Sequence, residues 1–180
     1  MTIKGFKDRF DQFYSSLNET IQSEVAQTSD VLLDLNRDQM LYGRDAKGEV
    51  LTPAYLDDPY FRENYKSPLK AAIRYKNYKK ALEDTHWGMI RYIGVQLFPD
   101  KSEDTPNLII NGNWFMNYLF INVSGDQYTI GSTGIAADSI QKKYEGYGHP
   151  VFGLAPVSKE YYYRGWIRPA ILNSYKKHLQ

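Results

Sequence analysis

The chain has 180 residues, of which 42% are hydrophobic and 24% charged, and its formal net charge is +1. That is enough chain and enough apolar content for one domain with a real core, and the charge is too even to demand nucleic acid or membrane as a whole-chain partner. Cysteine is absent, which excludes disulfides, thiolate catalysis and thiolate metal sites and suits a chain folded in a reducing cytosol.

No apolar run approaches the roughly 20 residues that span a bilayer. The start, MTIKGFKDRF, lacks the apolar core of a secretory signal. The unusual feature is aromatic: 16 Tyr, 8 Phe and 3 Trp. Tyrosine joins a large contact area to a polar tip, which suits interfaces and equally a half-exposed core.

Phe6, Phe10, Phe13, Leu17, Ile21 and Val25 recur at steps of three or four. That spacing predicts one face of a long amphipathic helix, flanked by Asp8, Asp11, Glu19 and Glu24. So narrow a stripe needs a partner, either the body of the domain or a neighbouring subunit. Val31, Leu32, Leu35 and Met40 keep helical spacing up to Gly43, a good left-handed cap. Asp45 to Gly48 reads as a tight turn between two short strands. Residues 53–65 are turn-rich and aromatic.

A further helix is predicted from Pro68 to about Glu83, with Pro68 in its first turn. Between Arg62 and Lys80 stand seven basic residues (Arg62, Lys66, Lys70, Arg74, Lys76, Lys79, Lys80) and one acid, Glu63. The first 38 residues hold four basic and seven acidic residues. Charge is thus balanced overall and segregated locally. Lys66, Lys70 and Arg74 fall on one helical stripe. That stripe is a solvated face, or it meets an acidic partner or a phosphate backbone.

FPDKSEDTPN, residues 98–107, reads as a polar, mobile loop. Leu119, Ile121 and Val123 alternate, turn at Ser124-Gly125-Asp126, and alternate again at Tyr128 and Ile130, which predicts a β-hairpin. Residues 134–144 read as a short helix and Val151–Leu154 as a short strand. Ser158 to His178 closes the chain as a helix, with Ser158 as N-cap and a kink or break at Pro169. The expected fold is α+β: a small antiparallel sheet packed with helices, a long N-terminal helix and a kinked C-terminal helix. One domain spans 1–180, with a helical arm over 1–30 and a body over 31–180 that carries a basic helical insertion near 62–83.

Chemistry is sparse. His86, His149 and His178 stand in unrelated contexts with no ligand at i+3 or i+4, so no zinc site follows from spacing. Phosphate-loop, nucleophile-elbow and HExxH motifs are missing. The Asp-x-Asp-x-Asp-Gly spacing of a calcium loop is not met around Asp45. Asp57, Asp58, Asp84 and His86 make a nuclease-like cluster only if folding brings them together. His149, in a glycine- and proline-rich turn, needs an orienting partner before it can act as a base. The expectation is a non-enzyme without metal or cofactor.

Three segments follow in order: DLNRDQMLYGRDAKGEVLTPAY, NLIINGNWFMNYLFINVSGDQYTIGST and IQKKYEGYGHPVFGL. Their succession resembles the small neck or head–tail connector proteins of tailed bacteriophages, found in phages and prophages of gut bacteria, crass-like phages included. The matching positions are Asp34 to Asn36, Tyr42, Gly43, Asp45, Gly48 and Leu51 in the first. Asn111 to Phe115 and the hairpin match in the second. Lys143, Tyr144, Gly148 and Val151 to Leu154 match in the third. The resemblance covers roughly residues 31 to 172. It departs in a longer stretch between Tyr55 and Asn107 and in an extended N-terminus.

The resemblance implies a structural protein of the virion, made in the host cytoplasm. It implies a homo-oligomeric ring between portal and tail, contacts with the portal and other neck or tail proteins, and non-specific contact with packaged DNA. It carries no catalytic residue. Gly146, Gly148 and Gly153 are expected to allow turns or bends in a fold-closing loop. Tyr161, Tyr162, Tyr163 and Trp166 follow on a helix where they cannot all face one way, so they are the expected interface residues. Lys66, Lys70 and Arg74 are the candidates for contact with DNA or an acidic partner. The alternatives are a DNA-binding protein acting through residues 62–80 and, behind it, a hydrolase that uses His149 or Asp84.

Overall fold

A computed structural model describes residues 3–86, 95–109, 119–124, 127–133 and 135–179. Its elements in chain order are α1 (Ile3–Gln27), α2 (Ser29–Leu41), α3 (Pro59–Asn64), α4 (Pro68–His86), β1 (Leu119–Ser124) and β2 (Gln127–Ser132). They continue with α5 (Ile135–Gly146), α6 (Pro156–Tyr162), a π-helical turn (Tyr163–Ile167) and α7 (Arg168–Leu179). The fold is α+β, mostly helical, with a two-stranded antiparallel sheet and a long N-terminal helix, as expected.

Helix α2 is the centre of the molecule. Its Leu32 and Leu35 join a cluster with Val25, Leu154, Tyr162 and Ile167. Its Met40 and Leu41 join a second with Leu51, Leu108, Ile109, Leu119, Tyr144 and Val151. Each such buried side chain contributes roughly 1.5–3 kcal/mol relative to exposure. Four polar residues of α2, Asp34, Asn36, Arg37 and Gln39, are buried as well. Asp34 and Arg37 pair at 2.7 Å one turn apart.

Gly43 follows the C-cap of α2 with φ +62°, and Arg44 N–H closes the helix end by donating to Gln39 O at 2.9 Å. The expected left-handed cap is therefore present. The expected pair of strands around Asp45–Gly48 reduces to one bridge between Arg44 and Val50. Residues 53–65 hold a helix that the turn-rich composition hid. Asp58 caps α3 by accepting from Tyr60 N–H at 3.1 Å, and Pro59 supplies its first turn.

Helix α1 packs on α7 from Phe13 onward, with Thr20 beside Ser174 and the Phe13 ring edge-on to Tyr175 at 5.7 Å. Toward its start the stripe outruns its support. Ile3 is 92% exposed, and Phe6 and Phe10 stack on each other with nearly half their surface open.

Two strand-and-cap expectations near the C-terminus are corrected. Val151–Leu154 forms no strand; the segment is held by side chains of α2 instead. Ser158 is not the N-cap but a fully buried residue inside α6. Pro156 at the first helical position drives Ala155 into the extended conformation, φ −61° and ψ 156°, so Ala155 takes the cap position. The expected break near Pro169 takes the form of the π-helical turn, where Arg168 N–H donates to Tyr163 O one residue beyond the α register.

The hairpin pairs Leu119 with Ser132 through to Ser124 with Gln127. Leu119 is buried and Ile121 half-buried, whereas Val123, third in the same alternation, is 54% exposed. Residues Asn111 to Phe115 lie outside the described residues. The loop at 98–107, expected to be polar and mobile, is tied down. Phe98, Thr105 and Asn107 are buried, and Lys101 pairs with Glu83 of α4 at 2.5 Å. Gly148 and Gly153 take positive φ, but Gly146 ends α5 without it.

Gly43 yields a stability prediction. A Cβ there would stand 2.3 Å from Pro106 O, and the backbone is already left-handed. Gly43→Ala is expected to cost at least about 3 kcal/mol in urea unfolding, combining φ strain with a clash against backbone. An unchanged midpoint contradicts this packing.

Candidate functional site

The largest described groove, about 970 Å³, lies between α3 and α4. Tyr60, Phe61 and Tyr65 line it from the α3 side and Tyr75 and Tyr78 from α4. The rings contact one another in series. Phe61 meets Tyr75 at 5.6 Å, Tyr60 meets Tyr65 at 6.1 Å, and Tyr75 meets Tyr78 at 6.5 Å. Phe61 is buried, while Tyr60, Tyr65 and Tyr78 keep about half their surface open.

The sequence-predicted basic residues Lys66, Lys70 and Arg74 all line this groove and are exposed. One detail is corrected. Lys66 sits in the connection before α4, so only Lys70 and Arg74 share a helical stripe. A fourth cation, Lys143, arrives from α5. It pairs with the buried Asp58 and lies 5.7 Å from the Tyr60 ring centre. No carboxylate lines the groove among the described residues. Lys143 and the tyrosine wall were missed in the sequence because α5 joins the groove only through tertiary packing.

Beneath the groove, Lys79 turns inward. It is 3% exposed, donates to Ile109 O, and stands 5.9 Å from the Tyr75 ring centre. Burial lowers its pKa to about 7, and the nearby charges of Lys101 and Lys143 act in the same direction.

A second polar cluster joins the turn at 45–49 to the loop at 148–150. Asp45 is fully buried. Its Oδ1 accepts from Lys47 N–H at 2.9 Å and Glu49 N–H at 2.8 Å, while its Oδ2 meets His149 Nδ1 at 2.9 Å. His149 Nε2 accepts Thr52 N–H at 3.3 Å and stands 2.8 Å from Thr52 Oγ1. A backbone N–H only donates, so the ring proton is on Nδ1. His149 thus has the orienting carboxylate that the sequence did not reveal.

The order Asp, His, hydroxyl resembles a nucleophile relay. Here, however, Nε2 is shared with a backbone donor, Asp45 also holds its own turn, and none of the described cavities is lined by these residues. The arrangement is a polar staple between two irregular segments. Asp45, Glu49 and His149 are also the only group of three potential metal ligands among the described residues. A cation there would have to displace the bonds just named. Asp57, Asp58, Asp84 and His86 form no such group.

The tyrosine cluster divides. Tyr162 is buried against α1 and α2, with its hydroxyl 2.6 Å from Thr28 Oγ1, and it stacks on Trp166 at 5.6 Å. Tyr161 meets the same Trp166 edge-on. Tyr163, one residue on, is 47% exposed. Comparison with family models, with curated proteins and with solved structures gives no match.

Two outcomes follow from this geometry. Asp45→Ala and His149→Ala should each cost about 2–4 kcal/mol of stability, and the double variant should show coupling of about 1 kcal/mol or more. Additive costs would mean that the staple is not a unit. For Lys79, the unfolded amine holds a proton up to 10.5 and the folded one only to about 7. The unfolded chain therefore binds the extra proton in that window, and this group makes stability rise with pH from about 7 toward 10.5. Lys79→Met should flatten the slope of the urea midpoint between about pH 7.5 and 9.5 relative to wild type. An equal slope in both proteins would sink the assignment.

Proposed function

We propose that the chain is a structural protein of a tailed-phage virion. Copies assemble into a ring in the neck between portal and tail, beside other neck or tail proteins, and form part of the DNA conduit. The role is non-enzymatic and uses no metal or cofactor. The neck assignment rests on the ordered segments that resemble connector proteins. Two of them pack on each other here: Asn36 and Gln39 of the first bond to Gly153 of the third, and Asp45 bonds to His149.

The observation that carries the assembly is the overhang of α1. Ile3, Phe6, Phe10 and Tyr14 are 92%, 48%, 46% and 71% exposed on one projecting helix. Leu69 and Ile73 on α4 and Tyr163 near the C-terminal helices are exposed elsewhere. Apolar faces of this kind are costly in a lone chain and are relieved by a neighbour. Distinct faces on one subunit favour head-to-tail contacts, which form a ring when the rotation between neighbours closes. Of the four aromatic residues expected at an interface, Tyr163 is the proposed contact, because Tyr161, Tyr162 and Trp166 pack within the subunit.

Purified particles should contain the chain in many copies each, and protein mass spectrometry of particles counts them. Its absence from particles overturns the reading. Phe6→Ser with Phe10→Ser should shift the melting temperature by no more than about 3 °C while lowering the assembled fraction in light scattering about tenfold. A variant that assembles like wild type removes α1 from the interface.

A further inference from the structure

We propose that the groove between α3 and α4 binds single-stranded nucleic acid, with Lys66, Lys70 and Arg74 on its phosphates and Tyr65 and Tyr78 under its bases. The inference goes beyond the ring assignment and does not depend on it. Charge is the first argument. Among the described residues four cations line the groove and no carboxylate does. Lys143 is committed to Asp58, but Lys66, Lys70 and Arg74 form no ion pair among the described residues. Elsewhere on α4 the surface cation Lys80 is neutralised by Glu103 at 2.6 Å. The groove thus gathers positive charge that is left for an anionic occupant.

Composition decides what kind of anion. Lysine is depleted in the core of protein–protein interfaces, whereas nucleic-acid interfaces are polar and rich in positive charge. The rings then separate a single strand from a duplex. Tyr60, Tyr65 and Tyr78 are 49%, 47% and 52% exposed at the groove while anchored by neighbouring rings. A duplex stacks its base faces on each other and offers only edges and phosphates to a groove. A single strand offers the faces, and an aromatic platform beside a cationic track receives any base. Lys70 and Arg74 are four residues apart on α4, so their side chains leave the helix about 6 Å apart along one side. They provide a track beside the tyrosine wall.

The full chain is titrated against a fluorescent single-stranded oligo-dT of about 20 nucleotides in low salt, with anisotropy as the readout. A duplex of the same length and a polyglutamate peptide are titrated in parallel. Expected are preferential binding of the single strand, a loss of about tenfold or more in Lys66→Glu/Lys70→Glu/Arg74→Glu, and a similar loss in Tyr65→Ala/Tyr78→Ala. The charge variant should also flatten the salt dependence, whereas the tyrosine variant should keep it. Tyr65→Phe/Tyr78→Phe keeps the rings and should bind like wild type, so loss in the Ala variant alone reports on stacking even if that variant is less stable.

No binding, equal binding of the duplex, wild-type binding by the tyrosine variant or binding of polyglutamate alone would each overturn the proposal. Light scattering on the same samples reads the oligomer separately, so failure here and failure of the ring assignment are distinguished.

Discussion

The fold depends on a set of polar side-chain bonds that anchor one irregular segment to α2 and staple a second irregular turn to the loop beside it. Asn36 and Gln39 both donate to Gly153 O, at 2.8 and 3.1 Å, and Gln39 Oε1 takes Ala155 N–H at 2.7 Å. A few ångströms away Asp45 closes its own turn and holds His149. Neither segment has a strand ladder to satisfy its buried backbone. Each therefore needs side-chain partners, and leaving those groups unmet costs more than each bond contributes net. This is why so central a helix carries buried Asn and Gln, while its buried Asp34 and Arg37 pair with each other.

Once that anchor is made, the remaining elements have their places. Ala46 N–H donates to Pro150 O at 2.8 Å, which holds the turn against the loop. Gly153, at φ +118°, brings the loop close enough that a Cβ would stand 3.3 Å from Ala46. Leu154 and Val151 then enter the two main clusters on either side of α2. The chain beyond Ala155 runs as α6 and α7 onto α1. The start of α1 is left beyond the end of that packing.

The surfaces left over differ in chemistry. The α1 overhang is apolar and aromatic, while the α3–α4 groove is aromatic and cationic. An overhang of this kind suits contact with a neighbouring chain; the groove suits a polyanion. On the readings proposed above, the two surfaces would serve assembly and nucleic acid separately. Helix α4 carries both characters at once. Ala72 and Lys79 face inward, Leu69 and Ile73 are open, and Lys70 and Arg74 edge the groove.

Periodicity in the residues was sufficient for α1, α2, α4 and the hairpin, because an apolar step of three to four or of two reflects burial on one face. Gly43 was legible for the same kind of reason: a helix end followed by glycine has one common geometry. The basic character of residues 62–80 and the aromatic richness of 53–65 were also plain along the chain. Tertiary structure alone decided that these two stretches form one groove, that Lys143 joins them, and that Lys66 precedes the helix rather than riding on it. It also decided that Asp45 orients His149 across 104 positions. Val151–Leu154 has the composition of a strand, yet among the described residues no strand pairs with it, and α2 side chains bond to Gly153 O instead. Local propensity is set by neighbours a few positions away. A pairing partner, a buried staple and a shared groove are set by which distant surfaces meet, and linear order does not encode that directly.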